Sequence, residues 1–423
     1  MIQTFKQKIY GLLKKTEKYT QTDNIYLAKN GFWLTSAKLI VALSSFLTAV
    51  AFANLLAPEL YGNYKYIVTL VGFLSIFTLK GLCTALSQAV TRGLEGGLHS
   101  LFKTKIKFAC LQSLGVIILG IYYFHQSNYL LALPLFFIAF LLPLLSGFGL
   151  FSFFLLGQKN FRLNAKYQII QSLVTAGSLI AFLLLVARFP QRALLIIFTL
   201  TALYFSTQTI CNGIFYYLTK KKLTNNTQDP KTKKYGFHLT IVNFLEEIIG
   251  YLDQILVFHS LGAIQLAMYS FALLPVNKLK EPVQMISDLA LPKFSVKNPA
   301  ELKKDLPLKI SKLLLLMLPI MAFYWLIAPF VFKFFFPLYT GAIFYSQIYV
   351  FSLLGVGYLI SNTALTSQMA IKKIYAVKIS TAVLDILLLV GGFWWLGILG
   401  IIIARVASEI IRTIIGLIII KKL

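Results

Sequence analysis

Arg405, Glu409 and Arg412 stand at i, i+4 and i+7 inside a largely apolar run from Ile398 to Ile420, so a helix would carry them on one face. Glu409 can neutralise either arginine, which leaves one positive charge over. Asp385 lies in the preceding run, about 15 Å by helical rise from the Trp394–Trp395 pair that marks its end. Another run places Asn243, Glu246, Gly250 and Asp253 on a shared face, with Glu247 and Gln254 beside it. An ionised side chain deep in a bilayer costs roughly 2.5–3.5 kcal/mol on insertion scales, so such groups pair, protonate or face water. Two readings therefore stand for Asp385: a site that takes up H+ or Na+, or a partner in an interhelical ion pair. The stripe with Glu246 and Asp253 is read as lining water and Glu409 as part of a seam neutralised within its own helix, and all three are further candidates for ion coupling. Lys80 begins a polar strip that runs through Thr84, Ser87, Gln88 and Thr91 to Arg92. Lys80 can simply snorkel to the interface, or the strip can admit an anionic lipid head group. The cysteines Cys83, Cys110 and Cys211 are far apart and the four histidines are scattered, so no metal or disulfide spacing is present and no cofactor is implied.

Positioning such groups requires membrane helices. The 423 residues are 58% hydrophobic and 13% charged, which excludes a soluble globule. Apolar stretches are long and do not alternate with polar residues, as in Leu313 to Val331, so helices and not a β-barrel span the lipid. The pattern predicts an all-α integral membrane protein of about twelve transmembrane helices. They are expected roughly at 32–54, 62–89, 106–124, 129–156, 166–187, 193–218, 237–258, 262–290, 308–330, 343–368, 374–396 and 398–420. Residues 1–31 form a basic N-terminal segment, read either as an amphipathic helix on the anionic inner leaflet or as a solvated tail. The polar stretch 220–236 separates six spans (32–219) from six (237–423), which predicts two six-helix lobes.

The chain carries 40 Lys and Arg against 14 Asp and Glu, a net charge of +26. In a soluble protein that excess would suggest nucleic acid. Here the basic residues crowd alternate loops: before the first span, Arg92 to Lys107, Lys159 to Lys166, Lys220 to Lys234, Lys278 to Lys312 and Lys372 to Lys378. The opposite loops keep only Lys65, Arg188, Arg192 and Lys333. That bias is the positive-inside signal. It predicts a multi-pass protein of the cell inner membrane with both termini cytoplasmic, and it argues against nucleic acid as a partner. The opposite loops are too short to hold an enzyme's active site, and no Gly-rich phosphate loop is present.

Short motifs in order along the chain carry a resemblance. Leu55-Leu56-Ala57-Pro58-Glu59-Leu60-Tyr61-Gly62 resembles the turn after the first helix of polysaccharide-transport proteins, the Wzx-type oligosaccharide-lipid flippases of the MATE-like (MOP) superfamily. Gly81 to Arg92, Gly157 to Phe161 followed by Gln168 or Gln171, and Tyr251 to Gln254 with Gly262 and Tyr269 are similar to later segments of that family. The resemblance implies a MATE-like fold and a non-enzymatic flippase. Its substrate would be undecaprenyl-diphosphate-linked oligosaccharide, moved from inner to outer leaflet by alternating access for surface polysaccharide (O-antigen-like) biosynthesis. Membrane lipids, and the glycosyltransferases or polymerase of the same pathway, are the expected partners. Arg405, Arg412, Lys80 and Arg92 would then meet the diphosphate, and the carboxylates would couple ion flow to the swing. Two departures stand out: Lys278, Lys280 and Glu281 interrupt the eighth span between Pro275 and Pro282, and the first helix lacks the glycine-rich pattern of related drug exporters. A MATE-like drug or metabolite exporter is the alternative, and it would want an acidic cavity.

Overall fold

The structure is a computed structural model that describes residues 24–188, 192–296, 298–368 and 371–421. The basic N-terminal segment expected to lie on the membrane falls mostly outside the described residues. Among the described residues every regular element is helical. The chain runs through α1 (Asn24–Leu55), α2 (Pro58–Leu74 and Gly81–Thr91), α3 (Gly97–His125), α4 (Tyr129–Gly157), α5 (Phe161–Arg188) and α6 (Ala193–Lys220). It continues with α7 (Lys231–Leu261), α8 (Ala263–Val296), α9 (Pro299–Phe335), α10 (Pro337–Ser367), α11 (371–396) and α12 (398–421).

Among the described residues, eight stretches are long and apolar enough to span a bilayer, and α2 adds another as a pair bent by 53°. One of the eight holds both α11 and α12, which continue into each other at Gly397 with a positive φ of 57°. α7 and α8 fall short in apolarity because they carry Glu246, Glu247, Asp253, Lys278, Lys280 and Glu281. The charged interruption of the eighth span does not break the helix: α8 passes through Pro275, Lys278 and Pro282 without a break.

α2 breaks where the sequence pattern shows a single long span. Ser75–Thr78 tightens into a 3-10 turn, and buried Leu79 adopts φ 53°, a left-handed conformation that L residues avoid. The bend re-aims the second half of α2 and its first residue, Lys80. α3 packs on α4, α1 on α5, and α6 on both α4 and α5, which forms the N-terminal lobe. α10 packs on α8 and on the α11–α12 pair, and α9 closes that lobe.

Lipid supplies no hydrophobic drive between helices, so the lobes meet where small residues let backbones approach. At the face opposite the basic loops, a Cβ on Gly62 would lie 1.9 Å from the carbonyl oxygen of Ala263. Beside it the Tyr66 ring stacks on Phe258 at 3.6 Å, and Tyr61 lies 4.7 Å from the Phe271 ring. Phe46 of α1 packs against Phe335 and Phe336 of α9. The lobes are therefore joined on both sides at this face. Toward the basic face, a Cβ on Gly81 would lie 2.3 Å from the Gly236 carbonyl oxygen, and the Gly81 N–H donates to Thr240 Oγ1 at 3.1 Å.

Candidate functional site: a divided central cavity

Four helices of the N-terminal lobe each turn one stripe toward a shared space. α1 presents Val41, Ser44, Ser45, Thr48, Ala49 and Phe52. α2 presents Tyr61, Tyr64, Lys65 and Val68, α5 presents Gln168, Gln171, Ser172 and Thr175, and α6 presents Tyr204, Gln208 and Asn212. These offsets are those of one helical face. The cavity, which is open to one side, measures about 660 Å³. Two smaller spaces follow, the first bordering the large cavity and the second bordering the first. A space of about 220 Å³ between the lobes shares Tyr61 and Lys65 with the large cavity and adds Gln254, Tyr269, Asn277, Lys278 and Glu281. A space of about 240 Å³ in the C-terminal lobe is lined by Asn277, Lys280, Glu281, Gln284, Gly355 and Glu409.

Charge is distributed unequally among these spaces. From residue 24 to 220 the sequence holds only two carboxylates, Glu59 and Glu95, and neither lines the large cavity. In α7, α8, α11 and α12 each carboxylate whose side chain is described is already in an ion pair. Asp253, 2% exposed, receives Arg405 Nη2 at 2.8 Å, the Tyr269 hydroxyl, and the Gln254 N–H at 2.8 Å. Asp385, also 2% exposed, receives Arg412 and the Ser408 hydroxyl. Glu246 accepts from Lys378 at 2.9 Å, and the same ammonium donates to Asn243 Oδ1 at 2.5 Å. Glu409 accepts from Lys280 at 3.0 Å, Glu281 from Lys278 at 2.7 Å, and Glu247 from Lys80 at 3.1 Å.

The residues singled out by sequence reasoning thus resolve into pairs. Arg405 and Arg412 turn to α7 and α11 and not to the intervening Glu409, so no guanidinium is left over within α12. Glu409 is free to reach α8 because Gly355 faces it, where a Cβ would lie 2.3 Å from the carboxylate oxygen. Lys80 bridges the lobes to Glu247. Arg92 stays at the basic face, 62% exposed, and holds Asp229 of the inter-lobe loop at 2.8 Å. None of Lys80, Arg92, Arg405 or Arg412 lines the three cavities above; of the coupling candidates only Glu409 does.

Sequence reasoning missed the cation that does line them. Lys65 sits two turns into α2, not in a loop, and its side chain borders both the large cavity and the inter-lobe space. It makes no ion pair or side-chain hydrogen bond with any described residue. Lys278 faces the same inter-lobe space and donates to Ser45 Oγ at 2.7 Å as well as to Glu281. The signal was available: Tyr61, Tyr64, Lys65 and Val68 repeat at i, i+3, i+4 and i+7 immediately after a helix-starting proline.

The inter-lobe loop is strapped to the N-terminal lobe. Glu95, 7% exposed, accepts from the Thr224 N–H at 2.6 Å, the Thr224 hydroxyl at 3.0 Å and Gln158 Nε2 at 2.8 Å. Burial pushes its carboxyl up, but the Thr224 amide and the other donors outweigh that and hold it below the ordinary carboxylate range. The Gly96 N–H donates to Thr227 O at 2.9 Å, and Asn225 Nδ2 to Gly93 O at 2.9 Å. Asp229 is likewise held low, first by the Lys231 N–H and then by Arg92 against burial.

A family model described as polysaccharide biosynthesis protein matches residues 27–295, well over half of the chain. The chain belongs to the polysaccharide biosynthesis protein family. That is the family its motifs resemble, and its fold is that of membrane transporters. Among solved structures, this family member is similar to an inward-facing multidrug resistance MATE family transporter of the MOP superfamily, with TM-score 0.65 and 11% identity over 93% of this chain and 97% of the other. It is similar to a Vibrio cholerae MATE transporter, with TM-score 0.57 and 14% identity over 94% and 96%. A Pyrococcus furiosus MOP superfamily transporter, described as having a binding pocket of reversed polarity that suggests a different function, matches with TM-score 0.56 and 12% identity over 94% of each chain. At these identities the likeness establishes the fold. No curated protein sequence matches the chain.

Proposed function

We propose that this polysaccharide biosynthesis family protein is a flippase. It carries undecaprenyl-diphosphate-linked oligosaccharide across the cytoplasmic membrane for O-antigen-like surface polysaccharide. One observation carries the reading. The central cavities present an unpaired ammonium, Lys65, with Lys278 across the inter-lobe space, while each carboxylate of α7, α8, α11 and α12 with a described side chain is already neutralised. A site of that polarity attracts an anion. A diphosphate bridging lipid and sugar carries two negative charges and several acceptor oxygens, which two ammonium groups match. The MATE-type exporter of cationic compounds is disfavoured on the same ground, because it needs a free carboxylate at the site.

The crowding of basic residues favours a cytoplasmic Arg92 face and cytoplasmic termini. In this reading substrate enters from the cytoplasmic leaflet once the Gly81–Gly236 and Lys80–Glu247 contacts part, and the polyprenyl tail stays in lipid. Alternating access then requires the Gly62–Ala263 and Tyr66–Phe258 contacts to part. A coupling H+ or Na+ acting at Asp253, Asp385, Glu246 or Glu409 has to displace the Lys or Arg that already occupies it. Arg405 and Arg412 organise the lobe through Asp253 and Asp385, and Lys80 latches it to the N-terminal half. Glycosyltransferases or a polymerase supply and consume the cargo.

The test is translocation in proteoliposomes of undecaprenyl-diphosphate-linked oligosaccharide, read by lectin access to the sugar. The Lys65→Gln variant, folded by its melting profile, is expected to move cargo at least tenfold more slowly than the wild type. Translocation at the wild-type rate would remove Lys65, and the anion site with it, from the mechanism.

A further inference from the structure

The large N-terminal cavity is lined in a way that a diphosphate site alone does not require. Apart from Lys65 its polar groups are amides and hydroxyls: Gln168, Gln171, Gln208, Asn212 and the Ser and Thr residues of α1 and α5. Aromatic faces stand beside them, from Phe52, Tyr61, Tyr64, Phe151 and Tyr204. The amides are held yet not exhausted. Gln171 Nε2 donates to Asn212 Oδ1 at 2.9 Å, which leaves the Gln171 oxygen as an acceptor and the Asn212 NH2 as a donor. Gln168 Nε2 donates to Ser152 Oγ at 3.3 Å, and its oxygen is likewise left over. Each locked amide thus offers a fixed donor or acceptor from a rigid helix.

That combination is the chemistry of a sugar. Vicinal hydroxyls pair with amide donors and acceptors, and the C–H face of a pyranose ring packs on aromatic rings. Ionised ligands are served poorly, since Lys65 is the only charge on this wall. The volume of about 660 Å³ falls within the ~300–1,000 Å³ of small-molecule pockets and admits a few sugar rings, not a long chain. The C-terminal lobe differs: its space of about 240 Å³ is bordered by the Lys280–Glu409 ion pair and by Glu281.

We propose that the N-terminal cavity is a glycan subsite that holds the first, uncharged sugars of the cargo, between Gln168, Gln171, Gln208 and Asn212 and the tyrosine faces, with Lys65 at its mouth on the diphosphate. The proposal rests on the lipid-diphosphate reading above and adds a specificity to it. Cargo is sorted by its reducing-end sugars inside one lobe. The other lobe supplies the moving, internally neutralised partner.

Binding to the full-length protein in nanodiscs separates the two levels, using a short polyprenyl diphosphate bare, linked to one neutral hexose, and linked to one hexuronic acid. The hexose form is expected to bind at least tenfold more tightly than the bare form, and also more tightly than the hexuronate. In Gln171→Leu the hexose-to-bare ratio is expected to fall close to one, and Gln208→Leu on a different helix is expected to do the same. A wild-type ratio near one, or a preference for the hexuronate, overturns the glycan subsite while leaving the anion site standing. Failure of the wild type to bind any of the three probes overturns the lipid-diphosphate reading itself, and the subsite falls with it.

Discussion

Asp253 and Arg405 show what a buried ion does when its neighbours are fixed. The carboxylate accepts from a guanidinium, a tyrosine hydroxyl and a backbone N–H, and the guanidinium also donates to Ile249 O at 3.0 Å. Removing one partner leaves the other charge buried alone, a loss of about 3 kcal/mol or more, whereas removing both is often close to neutral. Arg405→Met is therefore expected to lower the thermal midpoint in detergent well below that of the Asp253→Asn/Arg405→Met double variant. A double variant as unstable as the single one would show that Arg405 acts through something other than this pair. The same logic bears on coupling. If Asp253 only holds Arg405, the double variant keeps its dependence on the ion gradient, and if it takes up the coupling ion that dependence disappears.

At the scale of elements, the spacing of glycines decides how the lobes meet. Gly62 at the start of α2 touches the backbone at the start of α8, and no side chain fits between them. Gly62→Val is expected to hold this end open, so that thiol reagents added from outside label a cysteine placed at Leu274 faster than in the parent. Equal labelling would mean that the seam closes by other contacts. The helices themselves were legible in the sequence, because runs of apolar residues and alternating basic loops are direct consequences of lipid and surface charge. α7 and α8 were found as well, although ionised residues lower their apolarity, because topology demanded them. The break in α2 was not legible. Ser75 to Lys80 contains no proline, and the left-handed Leu79 is imposed by packing. The site was half legible. Ionisable residues in spans stand out in the sequence, but a single sequence does not say which partner each will find. Arg405 and Glu409 share a face of α12 and nevertheless turn to α7 and α8. Lys65 counts with the loops in the charge pattern, although it lies within the expected span 62–89 and two turns inside α2. The neutral stripe of Gln168, Gln171 and Ser172 carries no charge to draw notice, yet its periodicity is as regular as that of the charged faces.

For the whole molecule, the two halves are connected through a loop that one of them holds. Glu95 organises that hold, and its carboxyl sits below the ordinary range because only the ionised form accepts from all its donors. Its contribution is complete above the unfolded carboxylate value and disappears as pH falls through the depressed one. Protection of the Thr224 and Thr227 amides from hydrogen exchange, corrected for intrinsic rates, is therefore expected to drop on acidification into that range. In Glu95→Gln the protection is expected to be low already at pH 7. Unchanged protection in that variant would mean that the backbone bond from Gly96 to Thr227 suffices alone. With the loop fastened as far as Asp229, and α7 beginning at Lys231, Pro230 is the single residue of slack between the halves. The cytoplasmic ends of α6 and α7 are on a short leash. A rocking motion cannot spread them there as a hinge opens a book; it has to turn about that tethered corner, so the widest travel falls on the far side of the bundle, where α1 faces α8.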